Sequence, residues 1–288
     1  MPREQRLSLS AINLRIHPHN TKKYVQLIKL AAKSKKILPI RGTSHGLLNG
    51  AYAIKSGKPE EGIEGEISKF TQIDLKSPWL DTNTSKEANE QDVGKIRIPE
   101  NLKPNYHRFN YIFYPKKHMF VFQTYSSGNR TLSPGFVLKF LQSLFSTELI
   151  KSKFGVVDLT IVPETNTLAK IWKIPQIDKL ILTIKRPNPD DFHDEELEFL
   201  DEMNMQRISE IKQEHRAIDG QTISPNLRTK ILAEIAAKNG SVFAKGKDAL
   251  GKSIKESTEK HPREDTYYFD PNDTQEAYAV REFARYFL

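Results

Sequence analysis

The sequence predicts an α+β protein with a mixed, mostly antiparallel sheet, flanking helices and a helix-rich C-terminal part. Three observations carry this. The stretch Arg108–Thr124, RFNYIFYPKKHMFVFQT, sets two apolar runs about a short polar turn, so it predicts a hairpin. Phe109, Tyr111 and Phe113 fall on one face and Ile112 and Tyr114 on the other. Both faces are therefore apolar, which predicts strands covered on both sides. Short alternating runs recur through the first 189 residues, whereas helical spacing dominates much of the remaining chain.

The elements run in order along the chain. Ser8–His17 alternates as a first strand, and Asn20–Lys36 carries Tyr24, Leu27, Ile28 and Ala31 at helical spacing, with Asn20 or Thr21 as cap. Ile37–Ile54 is broken by Gly42, Gly46 and Gly50, predicting strands about a glycine-bearing turn; it lacks the GxxxxGK[ST] phosphate-loop pattern. Glu64–Ile73 reads as a strand, Asp74–Trp79 as a turn and Asp81–Gly94 as a loop. After the hairpin, Ser126–Arg130 is a flexible link, and Ser133-Pro134 opens a helix with proline at its permitted first-turn position.

Val156–Val162 and Lys179–Lys185 read as strands around a short helix at Thr167–Trp172. The exit Arg186-Pro187-Asn188-Pro189 is a natural boundary, predicting a basic α+β domain over 1–189 and a helix-rich domain over 190–288. The latter begins with one long helix, Asp190–Ala217, its acids crowding the N-terminal turns where the dipole favours them. A helix from Ser224-Pro225 stops at Asn239-Gly240. Val242–Ala244 and Ser253-Ile254 form a small hairpin, Tyr267–Phe269 a short strand, and a last helix from about Asp273 buries Tyr278, Phe283 and Phe287.

Composition bounds the function. The chain has 288 residues, 38% of them hydrophobic, enough for a real core, and no cysteine, which excludes disulfides, thiolate metal sites and cysteine nucleophiles. With no signal-type apolar stretch and no membrane-length run, a cytoplasmic protein is expected. Charge is segregated: residues 1–58 hold 12 Lys/Arg against 1 acid, residues 101–189 hold 13 against 4, and residues 190–219 hold 3 against 11. Two basic blocks folded side by side would offer a polyanion one positive surface. Ordinary solubility accounts for many of these lysines, and a solvated face is the plain explanation for those at 22, 23, 29, 33, 35 and 36.

Cations interleaved with aromatics point to DNA or RNA, since lysine and arginine neutralise phosphates and exposed tyrosine stacks on bases. The candidate contacts are Lys22, Lys23, Lys33, Lys36, Arg41, Arg108, Lys116, Lys117 and Arg130. The hairpin's aromatics belong to the core, leaving its turn, Lys116–His118, as the candidate region there. An enzymatic alternative is a divalent-metal nuclease, with Glu66 and Asp74 holding Mg²⁺ and Lys76 steadying the attacking water or the phosphate. His17 and His19 become metal ligands or proton carriers only if His45 or His107 joins them, and His193 beside Asp194, Glu195 and Glu196 fails the H-E-x-x-H pattern. A third reading gives the acidic helix 190–219 a protein partner, as an adaptor or toxin partner; the C-terminal part, 190–288, is expected either to pack on the first domain or to mediate self-association as a homodimer.

The motifs GEISKFTQIDLKSPW at Gly65–Trp79 and NGSVFAKGKDALGKSIKESTEKHP at Asn239–Pro262, with the hairpin, resemble an uncharacterised bacterial domain-of-unknown-function family over most of the chain. That resemblance brings no established catalytic residues. The layout of aromatic hairpin, following helix and KLILTIKRPNP is similar to the phage-exclusion protein RexA and the Kiwa defence protein KwaB, both associated with DNA binding. The combined expectation is a nucleic-acid-binding protein of bacterial or phage origin, indifferent to sequence and serving anti-phage defence.

Overall fold

In the computed structural model, residues 4–126, 128, 130–186 and 194–288 are described, with 194–196 and 200 as backbone alone. The chain opens with β1 (Gln5–Ile16), then α1 (Thr21–Ser34), whose N-cap Asn20 accepts hydrogen bonds from the Lys22 and Lys23 amides. β2 (Leu38–Arg41) and β3 (Ser44–Ala53) meet at Gly42, where φ is +53°, the left-handed backbone that favours glycine. β4 (Ile63–Thr71) comes next. The stretch expected as turn and loop holds the small hairpin β5 (Leu80–Asp81) and β6 (Lys86–Glu87), then the single turn α2 (Glu90–Val93).

β7 (His107–Tyr114) and β8 (Met119–Ser126) form the predicted hairpin, succeeded by β9 (Arg130–Thr131). Of the link expected at 126–130, Ser127 and Asn129 lie outside the described residues. Next come α3 (Pro134–Phe145), α4 (Glu148–Phe154), β10 (Val157–Ile161), α5 (Thr167–Trp172) and β11 (Gln176–Lys185). The remainder is α6 (Asp194–Gln206), β12 (Glu210–Arg216), α7 (Leu227–Asn239), β13 (Gly240–Lys247), β14 (Ser253–Ser257), β15 (Glu264–Phe269) and α8 (Glu276–Ala284).

Among the described residues the larger sheet has the order β10-β1-β8-β7-β4-β3-β2, with β15 also on β1 and β9 on β8. The smaller sheet runs β12-β11-β13-β14. Every strand pairing in both is antiparallel. The hairpin is covered twice, as its pattern requires. Phe109, Tyr111, Phe113, Phe120 and Phe122 share one core with Tyr24, Leu27 and Ile28 of α1 and Phe140 and Leu141 of α3. Ile112, Tyr114 and Val121 share another with Leu7, Leu9, Ala279, Val280 and Phe287 beneath α8.

Three expectations are corrected. The long helix 190–217 is instead α6 and then β12, and its first residues, 190–193, lie outside the described residues. α6 stops in a paired cap: the Ile208 amide donates to the Met203 carbonyl at 3.0 Å and the Arg207 amide to the Asn204 carbonyl at 3.1 Å. Arg207 holds φ +57° at the position where glycine usually sits, so the sequence shows no stop. β12 then alternates exposed and half-buried residues as an edge strand on β11, with Glu214 bridging Lys179 and Arg216.

The second correction concerns the division at 189. β11 precedes it and pairs with β12 and β13, which come after it, while β15 and α8 return to the larger sheet. A cut there would split both sheets. The third is Tyr278, which is 52% exposed, whereas Phe287 is buried and Phe283 stacks on Tyr267 at 4.4 Å. α7 ends at Asn239 with Gly240 as its C-cap, as expected, and the glycine also serves the sheet. Its backbone is extended, and a Cβ there would lie 2.0 Å from the Thr183 carbonyl oxygen. Close approach of β13 to β11 selects glycine.

Candidate nucleic-acid interface

The antiparallel order decides where the cations go. β4 ends, β7 begins and β8 ends at one end of the larger sheet, and the Lys116–His118 turn lies at the other. The eight residues of β7 separate the two ends by roughly 25 Å, at about 3.3 Å per residue. Arg41, Arg108 and Arg130 belong to the first end, since Arg41 pairs with Ser44, Ser44 with Thr71, and Arg108 with Ser68 in register. Lys116 and Lys117 belong to the second, as do Lys22 and Lys23 at the start of α1, because Leu14 near the end of β1 donates its amide to the His118 carbonyl. Lys33 and Lys36 lie at the C-terminal end of α1. All nine are exposed, but they do not form one group.

The first end has the more concentrated charge. Lys69 of β4 faces His107 of β7 in register, and its Nζ donates to the Thr131 carbonyl at 3.0 Å, tying it to β9 beside Arg130. Burial pushes the Lys69 ammonium below its usual range. His107 is also depressed, first by burial and then by the positive charges of Arg130 and Lys69; only a backbone hydrogen bond at Tyr106 opposes this, and no carboxylate contributes. His107 Nδ1 has no hydrogen-bond partner among the described residues. Tyr106, next in the chain, is 50% exposed. Arg108 is held more loosely, with Glu66 3.4 Å away, and Arg41 stacks over the Phe136 ring at 5.3 Å.

At the second end, Lys116 stands near Lys55, Lys58 and Glu61. Desolvation would raise the Glu61 carboxyl, but Lys55, then Lys58 and Lys116, outweigh it and hold it low. This end therefore carries its own counter-charge. His118 departs from the expected exposed turn: it is fully buried at φ +54°, with ring contacts to His19 at 4.6 Å and Tyr24 at 4.9 Å. Neither His45 nor His107 joins His17 and His19. His45 sits on β3 with Nδ1 3.1 Å from the Thr43 carbonyl, and His107 is at the opposite sheet end. His193 lies outside the described residues.

Glu66, Asp74 and Lys76 are not brought together as the nuclease reading required. Glu66 lies mid-strand beside Arg108, five residues before β4 ends. Asp74 lies beyond that end and closes its own turn, its Oδ1 accepting from the Lys76 amide at 2.9 Å. Among the described residues, no three His, Asp or Glu side chains are grouped to hold a metal ion. Of the acidic helix, Glu198, Asp201 and Glu202 are exposed on α6. Lys69 is the cation of this sheet end that the sequence reading missed. It is one lysine in an ordinary alternating strand, and only pairing with β7 and the return of β9 give it neighbours.

No helix among the described residues is long and apolar enough to cross a membrane. Residues 5–285 match the family described as Domain of unknown function (DUF4747), and the chain belongs to that family. No curated protein matches it, and the expected likeness to RexA and KwaB is not shown.

Proposed function

We propose that this DUF4747 member binds nucleic acid without regard to sequence, through the sheet end built from Lys69, His107, Arg130 and Tyr106. The observation that carries the reading is the convergence of Lys69 and Arg130 on the His107 ring, with no carboxylate acting on that histidine. Phosphates supply the missing counter-charge, and the half-exposed Tyr106 ring beside them offers a face for a base. Arg41 and Arg108, at the same end, extend the cationic track. We place that binding in anti-phage defence in the bacterial cytoplasm, a setting motivated by the resemblance of the sequence layout to RexA and KwaB.

Fluorescence anisotropy with duplex DNA, single-stranded DNA and RNA, each at two salt concentrations, tests it. Replacing Lys69 and Arg130 together by alanine is expected to weaken binding and flatten the salt slope by about 2, near one counterion per lost phosphate contact. The Lys116→Ala, Lys117→Ala double variant is expected to leave that slope unchanged. Absence of binding to all three probes at low salt removes the proposal. Equal effects of the two double variants reject this sheet end as the site.

A further inference from the structure

Beyond the sheet end, the molecule has a cavity of about 610 Å³ where the two sheets meet. It is lined by His17 after β1, Val156 and Asp158 of the β10 edge, Lys185 and Arg186 at the end of β11, and the α6–β12 connection from Met203 to Glu210. Its size is that of a small-molecule site. Because β1 and β10 meet here through the pairing of Ile16 with Val157, the cavity lies at the opposite end of the larger sheet from Lys69 and Arg130.

Six titratable groups face the cavity: His17, Asp158, Lys185, Arg186, Arg207 and Glu210. Asp158 is spent on Lys185, their oxygen and nitrogen 2.9 Å apart. Glu210 is exposed and makes no ion pair among the described residues. Arg186 and Arg207 likewise have no carboxylate partner there, and Arg186 Nε is buried with no hydrogen-bond partner. Their backbones are fixed on both sides: the Arg186 amide donates to the Ser209 carbonyl at 3.0 Å, and Arg207 is held in the cap that ends α6. Two guanidiniums of the lining thus have no carboxylate partner among the described residues, and the planar fork of each suits a phosphate.

The other walls define the rest of the ligand. Val156, which is exposed, and Ile208, which is half-buried, are the apolar side chains of the lining with surface to offer, Met203 being fully buried. His17 Nε2 is buried without a hydrogen-bond partner among the described residues. Burial, then the Arg186 charge, lowers the pKa of that ring, opposed by a backbone hydrogen bond at Arg186 and by the Asp158 charge. A neutral imidazole so held presents one further polar atom, suited to a hydroxyl or amino group. We propose that this cavity binds a free nucleotide, its phosphates bridging Arg186 and Arg207, its sugar or base resting on Val156 and Ile208 and meeting His17.

Arg207 permits a decisive variant. At φ +57° glycine suits its backbone better than arginine does, so Arg207→Gly removes the guanidinium without harming the α6 cap. Isothermal titration and thermal unfolding of the full chain would use ATP, ADP and inorganic phosphate as probes. Nucleotide is expected to raise the melting temperature and to bind at least tenfold more tightly than inorganic phosphate. Arg207→Gly is expected to keep or raise the melting temperature of the free protein while weakening nucleotide at least tenfold, and Arg186→Ala to weaken it similarly. The Lys69→Ala, Arg130→Ala double variant is expected to retain full nucleotide affinity, which separates this site from the proposed nucleic-acid interface. The proposal is overturned by no binding at millimolar nucleotide, by unchanged affinity in Arg207→Gly, by inorganic phosphate matching nucleotide, or by loss of affinity in the Lys69/Arg130 variant.

Discussion

Arg15 fastens the two sheets together, and its replacement tests how. It is fully buried on β1, with Nη2 donating to Thr160 Oγ1 at 2.6 Å and Nη1 to Asn239 Oδ1 at 3.0 Å, across to the end of α7. Burial lowers its pKa from 12.5 to about 10, against the opposing pull of Asp158. That depression corresponds to roughly 3 kcal/mol held against the charged form. Arg15→Met removes this cost but leaves two buried acceptors without a charged donor, at about 1–3 kcal/mol each, so it should destabilise by no more than about 3 kcal/mol. Arg15→Ala also deletes three further buried heavy atoms, which adds roughly 2–3 kcal/mol with the cavity. Asn239→Ala keeps the charge and removes an acceptor, costing about 1.5–3 kcal/mol. Urea unfolding monitored by circular dichroism measures all three. If Arg15→Met is as damaging as Arg15→Ala, or if Asn239→Ala is harmless, the guanidinium is not held in the balance described.

Tyr114 offers a pH-dependent counterpart. Its hydroxyl is buried with no hydrogen-bond partner among the described residues, and burial, opposed by Arg285, pushes its pKa from 10 up to about 12. The unfolded phenol ionises first, so its contribution holds below pH 10 and is lost as pH rises to about 12, by up to about 3 kcal/mol. Tyr114→Phe should stabilise the fold by about 1 kcal/mol near neutral pH and lessen the alkaline loss; unfolding curves that stay parallel to the parent's between pH 9 and 12, on the order of one phenol's titration range, would refute this. Gly240→Ala forces a Cβ against the Thr183 carbonyl, at a cost of about 3 kcal/mol, and should lower hydrogen-exchange protection along the β11–β13 pairing. Unchanged protection there would show that the strands can separate freely.

Most of the fold was legible because its elements advertise themselves locally. The hairpin's two-sided apolar pattern named both of its cores, and Asn20 marks the start of α1 without any reference to packing. The failure at 190–217 has an equally local cause. Acids and helical spacing continue toward β12, and the stop depends on Arg207 adopting a left-handed backbone that no residue type announces. β12 itself is charge-rich and reads as a strand only when β11 lies beside it.

The candidate sites were less legible because charge blocks are not faces. In an antiparallel sheet each strand carries the chain to the opposite end, so a basic block longer than one strand is dealt to both ends. Residues 1–58 deliver Lys22 and Lys23 to one end and Arg41 to the other. The hairpin does the same with Lys116 and Lys117 against Arg108 and Arg130. Register is the element that concentrates charge, since it sets Lys69 opposite His107 and brings β9 alongside. The cavity obeys the same logic at greater range, since His17 and Arg207 line it together where Arg15 and the Asp158–Lys185 pair join one sheet to the other. A variant that loosens that junction should therefore weaken nucleotide binding while leaving the Lys69 sheet end competent, and Asn239→Ala, which removes no residue of either site, is the substitution that separates the two.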